Sequence, residues 1–412
     1  MTAPLCRFCK TPLVHTFLDL GRQPLANSYL TAEQLASGTE AAYPLHVRVC
    51  HRCFLVQADD AVPADAIFDA DYAYFSSYST SWVAHARRYA VAMAERFELG
   101  PESLVVEVAS NDGYLLQHFV EMDIPVLGIE PTANTAQAAI ARGVPTEVAF
   151  FGERTAQALA ARGYEADLMA ANNVLAHVPA IGDFVAGFRE MLKDEGALTF
   201  EFPHLLNLID KVQFDTIYHE HFSYLSLLAV EQVLWANGLR PFDVERLSTH
   251  GGSLRLFCCH MGSGHEETDA LVALREAEHA AGFDRIEAYA GFARRVEAVR
   301  ESFRAFLAVE KAAGRKIAAY GAAAKGNTFL NYCGATPADV VAVFDASPAK
   351  QGRFLPGSHL PILAPDAVRD VRPDDLLILP WNLKDEIMGQ MAFIGDWGGR
   401  FVTASPETKV IC

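Results

Sequence analysis

Short hydrophobic runs alternate with amphipathic stretches through most of the chain. Strand-like runs lie at residues 104–108, 126–130, 168–171 and 197–201, and helical spacing of apolar positions occupies the segments near them, including residues 82–97. A second set of runs lies at residues 316–320, 341–345 and 376–379. Strands that alternate with helices predict βαβ units built on a parallel sheet. The pattern therefore predicts two α/β units in succession.

Between these units, one long stretch has a helical period. Apolar side chains recur at Phe292, Val296, Val299, Phe303 and Phe306 within residues 284–309. This spacing predicts a single amphipathic helix, interpreted as a strut between the two α/β units. We expect an N-terminal module over residues 1–70 with strands at 44–49 and 53–57, a central domain over residues 71–260, and the strut with the second α/β domain over residues 261–412.

Length and charge restrict the class of protein. At 412 residues the chain is long enough for two to three domains. Its net charge of −17 argues against a nucleic-acid surface, which normally carries a basic patch. No apolar run approaches the roughly 20 residues of a membrane span, and the first 20 residues do not have the pattern of a secretory signal. We expect a cytoplasmic protein without nucleic-acid or membrane partners.

Four of the eight cysteines form two pairs near the N-terminus. Cys6 and Cys9 make one CxxC motif, and Cys50 and Cys53 make the other. In a reducing compartment, two such pairs indicate a tetrahedral zinc site rather than disulfides. Four thiolates close the coordination sphere, so the zinc is predicted to be structural.

The first turn of the central unit has the position of a cofactor site. Glu107 ends a predicted strand, and Ser110, Asn111 and Gly113 form the turn after it. Ligands of open α/β sheets bind at this edge, and Glu130 at the end of the next strand can accept hydrogen bonds from a ribose. The fingerprint GxGxxG is absent, which argues against a dinucleotide as the ligand of this turn and favours S-adenosylmethionine.

Histidines and acidic or phenolic side chains cluster in two further segments of this unit. His177 follows a strand end together with Asn172 and Asn173, and residues 218–221 read Tyr-His-Glu-His. The favoured interpretation makes a histidine the general base and its neighbours orienting or charge-stabilising groups. A metal site on the His-x-His pair and a purely structural cluster are the alternatives.

Two segments have features of phosphate binding. Residues 249–255 combine glycines with His250, Ser253 and Arg255, and residues 321–327 begin a predicted helix with small side chains, Lys325 and Asn327. Free N–H groups and the helix dipole favour anions at a helix N-terminus. A plain turn explains the first segment equally well, and close helix–strand packing is the alternative for the second.

Taken together, the paired CxxC motifs and residues 107–113, 172–179, 218–221, 249–255 and 321–327 resemble the sugar C-methyltransferases of deoxysugar biosynthesis. The resemblance covers nearly the whole chain in the same order. It implies a zinc-binding N-terminal domain, a central S-adenosylmethionine domain and a C-terminal α/β domain without a nicotinamide cofactor. The substrate it implies is a dTDP-linked 4-keto-deoxysugar, which binds between the last two domains. The pathway it implies is the biosynthesis of an antibiotic.

The resemblance also implies an active site. Tyr72, His177, Tyr218, Glu220 and His221 match the family's active-site positions. Cofactor contacts are then expected from Glu107, Ser110, Asn111, Gly113, Glu130, Asn172 and Asn173. Sugar-nucleotide contacts are expected from His250, Ser253, Arg255, Lys325 and Asn327.

The implied reaction is methylation at C-3 of the sugar. His221 removes the C-3 proton beside the ketone, and Tyr218 or His177 stabilises the enolate, while Glu220 holds an imidazole or contacts the sugar. We expect a monomer. The alternatives are an O- or N-methyltransferase on a nucleotide sugar and a zinc-dependent binding protein with degenerate α/β lobes.

Overall fold

The computed structural model describes residues 3–63 and 75–411, and it is an α/β structure with three β-sheets in the described residues. The predicted fold class is confirmed. No helix within the described ranges is long and apolar enough to span a membrane.

The N-terminal segment forms an antiparallel sheet, which we call the zinc module. Its elements are β1 (His15–Gln23), α1 (Ala32–Ser37), β2 (Tyr43–Val49) and β3 (Val56–Ala58). Its fourth strand, β9 (Ser223–Tyr224), comes from far along the chain and pairs with β3. The strand expected at residues 53–57 begins only at Val56, because Phe54 has a φ of 55° and turns the backbone directly after Cys53.

The central sheet has seven strands in the order β10-β11-β8-β7-β4-β5-β6. Its strands are β4 (Val105–Val108), β5 (Val126–Ile129), β6 (Thr146–Glu147), β7 (Ala166–Asn172), β8 (Leu192–Pro203), β10 (Leu239–Leu247) and β11 (Ser253–His260). The associated helices are α2 (Thr80–Arg96), α3 (Leu116–Val120), α4 (Ala133–Ala141), α5 (Glu153–Ala160), α6 (Ile181–Met191), α7 (Leu205–Asp210) and α8 (Leu227–Ala236).

The four strands predicted for this sheet run parallel, and an antiparallel hairpin that was not predicted extends it at one edge. Strands β4 to β8 run parallel, but β11 pairs antiparallel with both β8 and β10. Gly251 and Gly252, with φ of 90° and 121°, reverse the chain between β10 and β11, so the two strands form a hairpin. Residues 249–255, which have features of phosphate binding in the sequence, are therefore the turn of this hairpin and the start of its second strand.

The long helix after α9 (Asp269–Ala280) is α10 (Phe292–Ala312), eight residues shorter at its start than the sequence pattern suggested. Gly291 precedes it with a φ of 91°, which interrupts the helical backbone there. Phe292 stacks on Phe17 of the zinc module at 4.6 Å between ring centroids, and the same core continues into the C-terminal sheet. The helix thus packs between the first and last sheets.

The last segment, residues 317–411, is called the C-terminal lobe. Its sheet has the order β14-β13-β12-β15-β16-β17 and is parallel except for β17. Its elements are β12 (Ile317–Tyr320), α11 (Ala324–Cys333), β13 (Val343–Phe344), β14 (Ile362–Leu363), α12 (Val368–Val371), β15 (Asp375–Ile378), α13 (Lys384–Gln390), β16 (Arg400–Thr403) and β17 (Lys409–Ile411).

Candidate active site

The four N-terminal cysteines converge in the zinc module. Their Sγ atoms all lie within 4.8 Å of one another, with Cys6 3.6 Å from Cys53 and Cys9 3.4 Å from Cys50. Tetrahedral zinc with Zn–S bonds of about 2.3 Å holds sulfurs about 3.8 Å apart, so the cluster fits the ion. Gln57 Nε2 donates to Cys6 Sγ at 3.2 Å, a supporting contact of the kind that orients metal ligands. Four thiolates leave no open coordination position, which makes the zinc structural.

The turn after β4 has an unusual backbone. Ala109, Asn111 and Gly113 have φ of 58°, 48° and 78°, so three alternate residues are in the left-handed region. This conformation ordinarily favours glycine. The turn therefore has the backbone conformation of a glycine-rich loop, although only its last residue is glycine.

Polar atoms with no partner among the described residues line this turn. They are Glu107 Oε2, Ser110 Oγ, Asn172 Oδ1 and Asn173 Oδ1, all at the carboxyl ends of the parallel strands. A buried polar atom without a hydrogen bond is costly, and a polar ligand satisfies it. Burial first, then the nearby carboxylates of Glu130 and Asp112, raise the pKa of Glu107. A cationic ligand offsets these effects, and S-adenosylmethionine carries both an ammonium and a sulfonium.

Glu130 is tied into the same turn. Its Oε2 accepts from Asn111 N at 3.0 Å, and its Oε1 accepts from Thr132 N at 2.9 Å and from the Thr132 hydroxyl. The carboxylate therefore shapes the turn in addition to its expected contact with a ribose.

The loop with residues 218–221 is attached to the zinc module. Ala58 N of β3 donates to Phe222 O at 3.1 Å, and β9 follows immediately. The His219 ring lies 3.2 Å from Pro44 O of β2, whereas His221 faces Thr216. The two rings have different partners, which gives no support to a metal site on the His-x-His pair.

His221 lies at the centre of the candidate site. Its Nδ1 is 2.7 Å from Thr216 O, and because a carbonyl only accepts, Nδ1 carries the proton and Nε2 has the basic lone pair. The rings of His177 and Tyr218 lie 4.7 and 4.1 Å away between centroids. Burial, with smaller effects from His177, Lys325 and His250, holds the pKa of His221 well below its usual value. The imidazole is therefore neutral near pH 7.

Glu220 and His177 flank His221. Asn27 Nδ2 donates to Glu220 Oε1 at 2.6 Å, and burial raises the pKa of Glu220 to about 7. The His177 ring hydrogen-bonds the Glu220 backbone, and burial lowers the pKa of His177 to about 4. The His221 tautomer depends on Thr216, not on Glu220. Tyr72, the fifth expected active-site residue, lies outside the described residues.

The hairpin turn contributes His250 to the same cleft. Its pKa is lowered to about 4, mainly by burial and next by the charge of Lys325, and its ring lies edge-on to Trp82 at 5.3 Å. Ser253 Oγ donates to Thr249 O within the hairpin. Arg255 donates to Glu201 and Glu245, which differs from the expected guanidinium directed at phosphate because two carboxylates already balance its charge.

Lys325 of α11 reaches this cleft from the C-terminal lobe. Its Nζ donates to Asn382 Oδ1 at 3.0 Å and lies 4.7 Å from the centroid of the Trp381 ring. Trp381 Nε1 in turn donates to Asp215 Oδ2 of the central segment at 2.6 Å. Asn327 is different: it is 1 % exposed, and its Oδ1 has no partner among the described residues.

Several residues of this region had no signal in the sequence. Asn27 and Asp215 reach the cleft through long-range packing, and Trp381 lies in the C-terminal lobe. His85 of α2 lies 3.0 Å from the buried Glu201, which also binds Arg255. No local pattern in the sequence singles these residues out.

Comparisons with known proteins agree with this arrangement. Three family profiles match in order: a zinc binding domain at residues 6–68, a methyltransferase domain at residues 82–244 and a C-methyltransferase C-terminal domain at residues 248–406. The C-methyltransferase NovU of Streptomyces niveus is 35 % identical over 98 % of this chain and 96 % of its own length.

Solved structures resemble only part of the chain. Magnesium protoporphyrin IX methyltransferase of Synechocystis, with bound S-adenosylhomocysteine, covers 43 % of this chain and 83 % of its own at 14 % identity and a TM-score of 0.36. An S-adenosylmethionine-dependent methyltransferase of Anabaena variabilis covers 43 % of this chain and 86 % of its own at 13 % identity and a TM-score of 0.35.

The match to NovU extends over nearly the whole of both chains, and the three family profiles follow in the order of the three sheets. On these matches, and with a four-cysteine cluster in its N-terminal module, the chain belongs to the C-methyltransferase family and is an S-adenosylmethionine-dependent enzyme.

Proposed function

We propose that the enzyme methylates C-3 of a dTDP-linked 4-keto-deoxysugar in deoxysugar biosynthesis of the kind that supplies antibiotics, and that it works in the cytoplasm. One observation carries the proposal: His221 presents a neutral imidazole, with its Nδ1 proton donated to Thr216 O, in a buried cleft. A base of this kind suits the removal of a proton from carbon, which is acidic only beside a carbonyl group.

The residues divide the reaction between them. His221 Nε2 removes the C-3 proton, and the electron pair of the C–H bond moves onto the 4-keto oxygen as an enolate. Tyr218 and His177, whose rings lie beside His221, are the candidates to donate to that oxygen. S-adenosylmethionine, when bound, would supply an electrophilic methyl group to C-3, with its S–CH3 bond breaking to leave S-adenosylhomocysteine as the ketone reforms.

The remaining residues hold the two ligands. Glu107, Ser110, Asn172 and Asn173 line the cofactor turn with buried acceptors, and Glu130 holds that turn in shape. Lys325 provides a cation beside the sugar site, where burial lowers its pKa and Asp215 opposes that effect. Glu220 is assigned to the sugar, since its carboxylate is not needed for the His221 tautomer.

The test is a direct assay of product. The enzyme is incubated with S-adenosylmethionine and a dTDP-linked 4-keto-deoxysugar, and the product is analysed by mass spectrometry and carbon NMR. We expect a gain of one methylene mass and a new methyl carbon bonded to C-3. A methyl on oxygen or nitrogen would support the alternative methyltransferases, and no transfer with tight ligand binding would support a binding protein.

A further inference from the structure

We propose that Asn27, in the zinc module, is a positioning residue that holds the Glu220 carboxylate, and that Tyr29 fixes the same segment to the C-terminal lobe. The inference rests on the proposed function, because it matters only if Glu220 takes part in the reaction. It assigns to the zinc module a direct contribution to the active site.

The first support is the contact itself. Asn27 Nδ2 lies 2.6 Å from Glu220 Oε1, across 193 residues of sequence. Glu220 is 8 % exposed, so few other donors can reach it. A buried carboxylate needs hydrogen-bond donors to remain in one orientation. Asn27 provides one, and no other side-chain donor to Glu220 is found in the described part of the chain.

The second support is how the Asn27 segment is anchored. The Tyr29 hydroxyl donates to Ala322 O at 2.6 Å and lies 3.2 Å from Asn27 Oδ1. Leu30 exchanges backbone hydrogen bonds with Phe354. The segment therefore connects the C-terminal lobe to the loop that carries Glu220.

The third support is that the loop itself is fixed to the same module. β9 begins three residues after Glu220 and pairs with β3, and Gln57 of β3 donates to the zinc ligand Cys6. Both the backbone and the carboxylate of the loop are thus held by the zinc module. This geometry distinguishes positioning from a chance surface contact.

The groups around Glu220 predict that replacing Asn27 changes the pH dependence of the reaction. Burial raises its pKa to about 7, and the hydrogen bond from Asn27 opposes that rise. The other titratable groups facing it are His177, whose ring binds the Glu220 backbone, the adjacent His221, and Tyr29. Behind Tyr29 lie Lys350 and Asp345, which are 3.7 Å apart. Removing the Asn27 donor therefore moves the Glu220 pKa upward.

The experiment compares Asn27→Ala and Asn27→Asp with Glu220→Gln, using S-adenosylmethionine and the dTDP-linked 4-keto-deoxysugar. We expect Asn27→Ala to lower kcat roughly tenfold at pH 7, since a hydrogen bond to a charged group is lost. KM for S-adenosylmethionine should stay unchanged, and the acid limb of the kcat profile should move to higher pH. Asn27→Asp keeps the volume but adds a like charge, so its shift should be larger.

Control variants separate positioning from loss of folding. Gln34→Ala removes part of the capping box of α1 in the same module. Gln34 hydrogen-bonds Thr31 and not Glu220, so this variant should leave the pH profile unchanged. Tyr29→Phe removes only one hydroxyl, and it should shift the profile in the same direction by less. This variant keeps the test available even if Asn27→Ala fails to fold.

Two results overturn the inference, and they are distinguishable. If Glu220→Gln is inactive while both Asn27 variants keep the wild-type kcat and pH profile, Asn27 does not position Glu220. If Glu220→Gln keeps the wild-type kcat, the role proposed for Glu220 fails, and the inference fails with it.

Discussion

Replacing His221 with asparagine separates its basic nitrogen from its structural contact. The asparagine amide nitrogen branches at the same carbon as the imidazole Nδ1 and can donate to Thr216 O in its place. Nothing in the new side chain corresponds to the basic Nε2. His221→Ala is the matched control, because it removes both the base and the donor to Thr216.

The expected magnitudes follow from this difference. Loss of general-base catalysis should reduce turnover by roughly 10²- to 10⁴-fold in both variants. Only the alanine variant leaves the buried Thr216 carbonyl without its partner, which costs on the order of 1–3 kcal/mol of unfolding free energy. We therefore expect His221→Asn to be inactive and nearly as stable as the wild type, and His221→Ala to be inactive and less stable.

The assay isolates proton removal from methyl transfer. The enzyme and the sugar nucleotide are incubated in deuterated water without S-adenosylmethionine, and loss of the C-3 proton signal is followed by NMR. Urea unfolding measures stability in parallel. Since the His221 pKa lies well below its usual value, its loss should lower the rate at every pH tested, unlike the pH-dependent effect expected at Asn27.

One outcome would contradict the assignment of His221 as the base. If His221→Asn exchanges the C-3 proton at the wild-type rate, the base is another group, and His177 becomes the next candidate because its ring is 4.7 Å away. A stable but inactive His177→Asn variant would then complete the reassignment.

Three further predictions concern the cofactor, the metal and acid stability. Glu130→Ala should weaken S-adenosylmethionine binding at least tenfold in calorimetry, because the Asn111 amide loses its charged acceptor; unchanged affinity would contradict this. Metal analysis should find about one zinc per chain, and Cys6→Ser should lose folding stability; a folded, zinc-free wild type would exclude the site. Burial lowers the pKa of His177 and His250 to about 4 in the folded protein, from the ordinary value of 6.5. The unfolded chain therefore binds more protons between these two values, and the free energy of unfolding falls as the pH drops from 6.5 toward 4. Urea unfolding at pH 7 and 4.5 should show a smaller loss for His250→Gln than for the wild type, and equal losses would refute the prediction.

Much of the fold was predictable because local patterns determine it. The two CxxC pairs indicated the zinc cluster, and the apolar runs gave the inner strands of both α/β sheets. The turn after β4, whose cofactor role stays a prediction, was predictable from its position after a strand. Its backbone was not, because Ala109 and Asn111 adopt a conformation that their residue types do not favour.

Long-range pairing explains what the sequence did not show. A two-residue strand such as β9 has no pattern of its own and exists because β3 offers an edge. Arg255 has the residue type of a phosphate ligand, but burial beside Glu201 gives it a carboxylate partner instead. Asn27 was missed for the same reason, since its partner lies 193 residues away.

The low pKa of His221 has a consequence for when the base can act. Burial, the neighbouring His177 and the charge of Lys325 make the imidazolium unfavourable before the reaction, so His221 remains neutral but is a weak proton acceptor. An enolate oxygen formed nearby carries a negative charge, which attracts both the imidazolium and Lys325. Burial strengthens this attraction because the local dielectric constant is low. In the proposed reaction, the transition state would therefore gain electrostatic stabilisation that the ground state lacks. On this argument, proton removal depends on a ketone placed where its oxygen faces these cations, and a substrate without the ketone should bind without exchanging its proton.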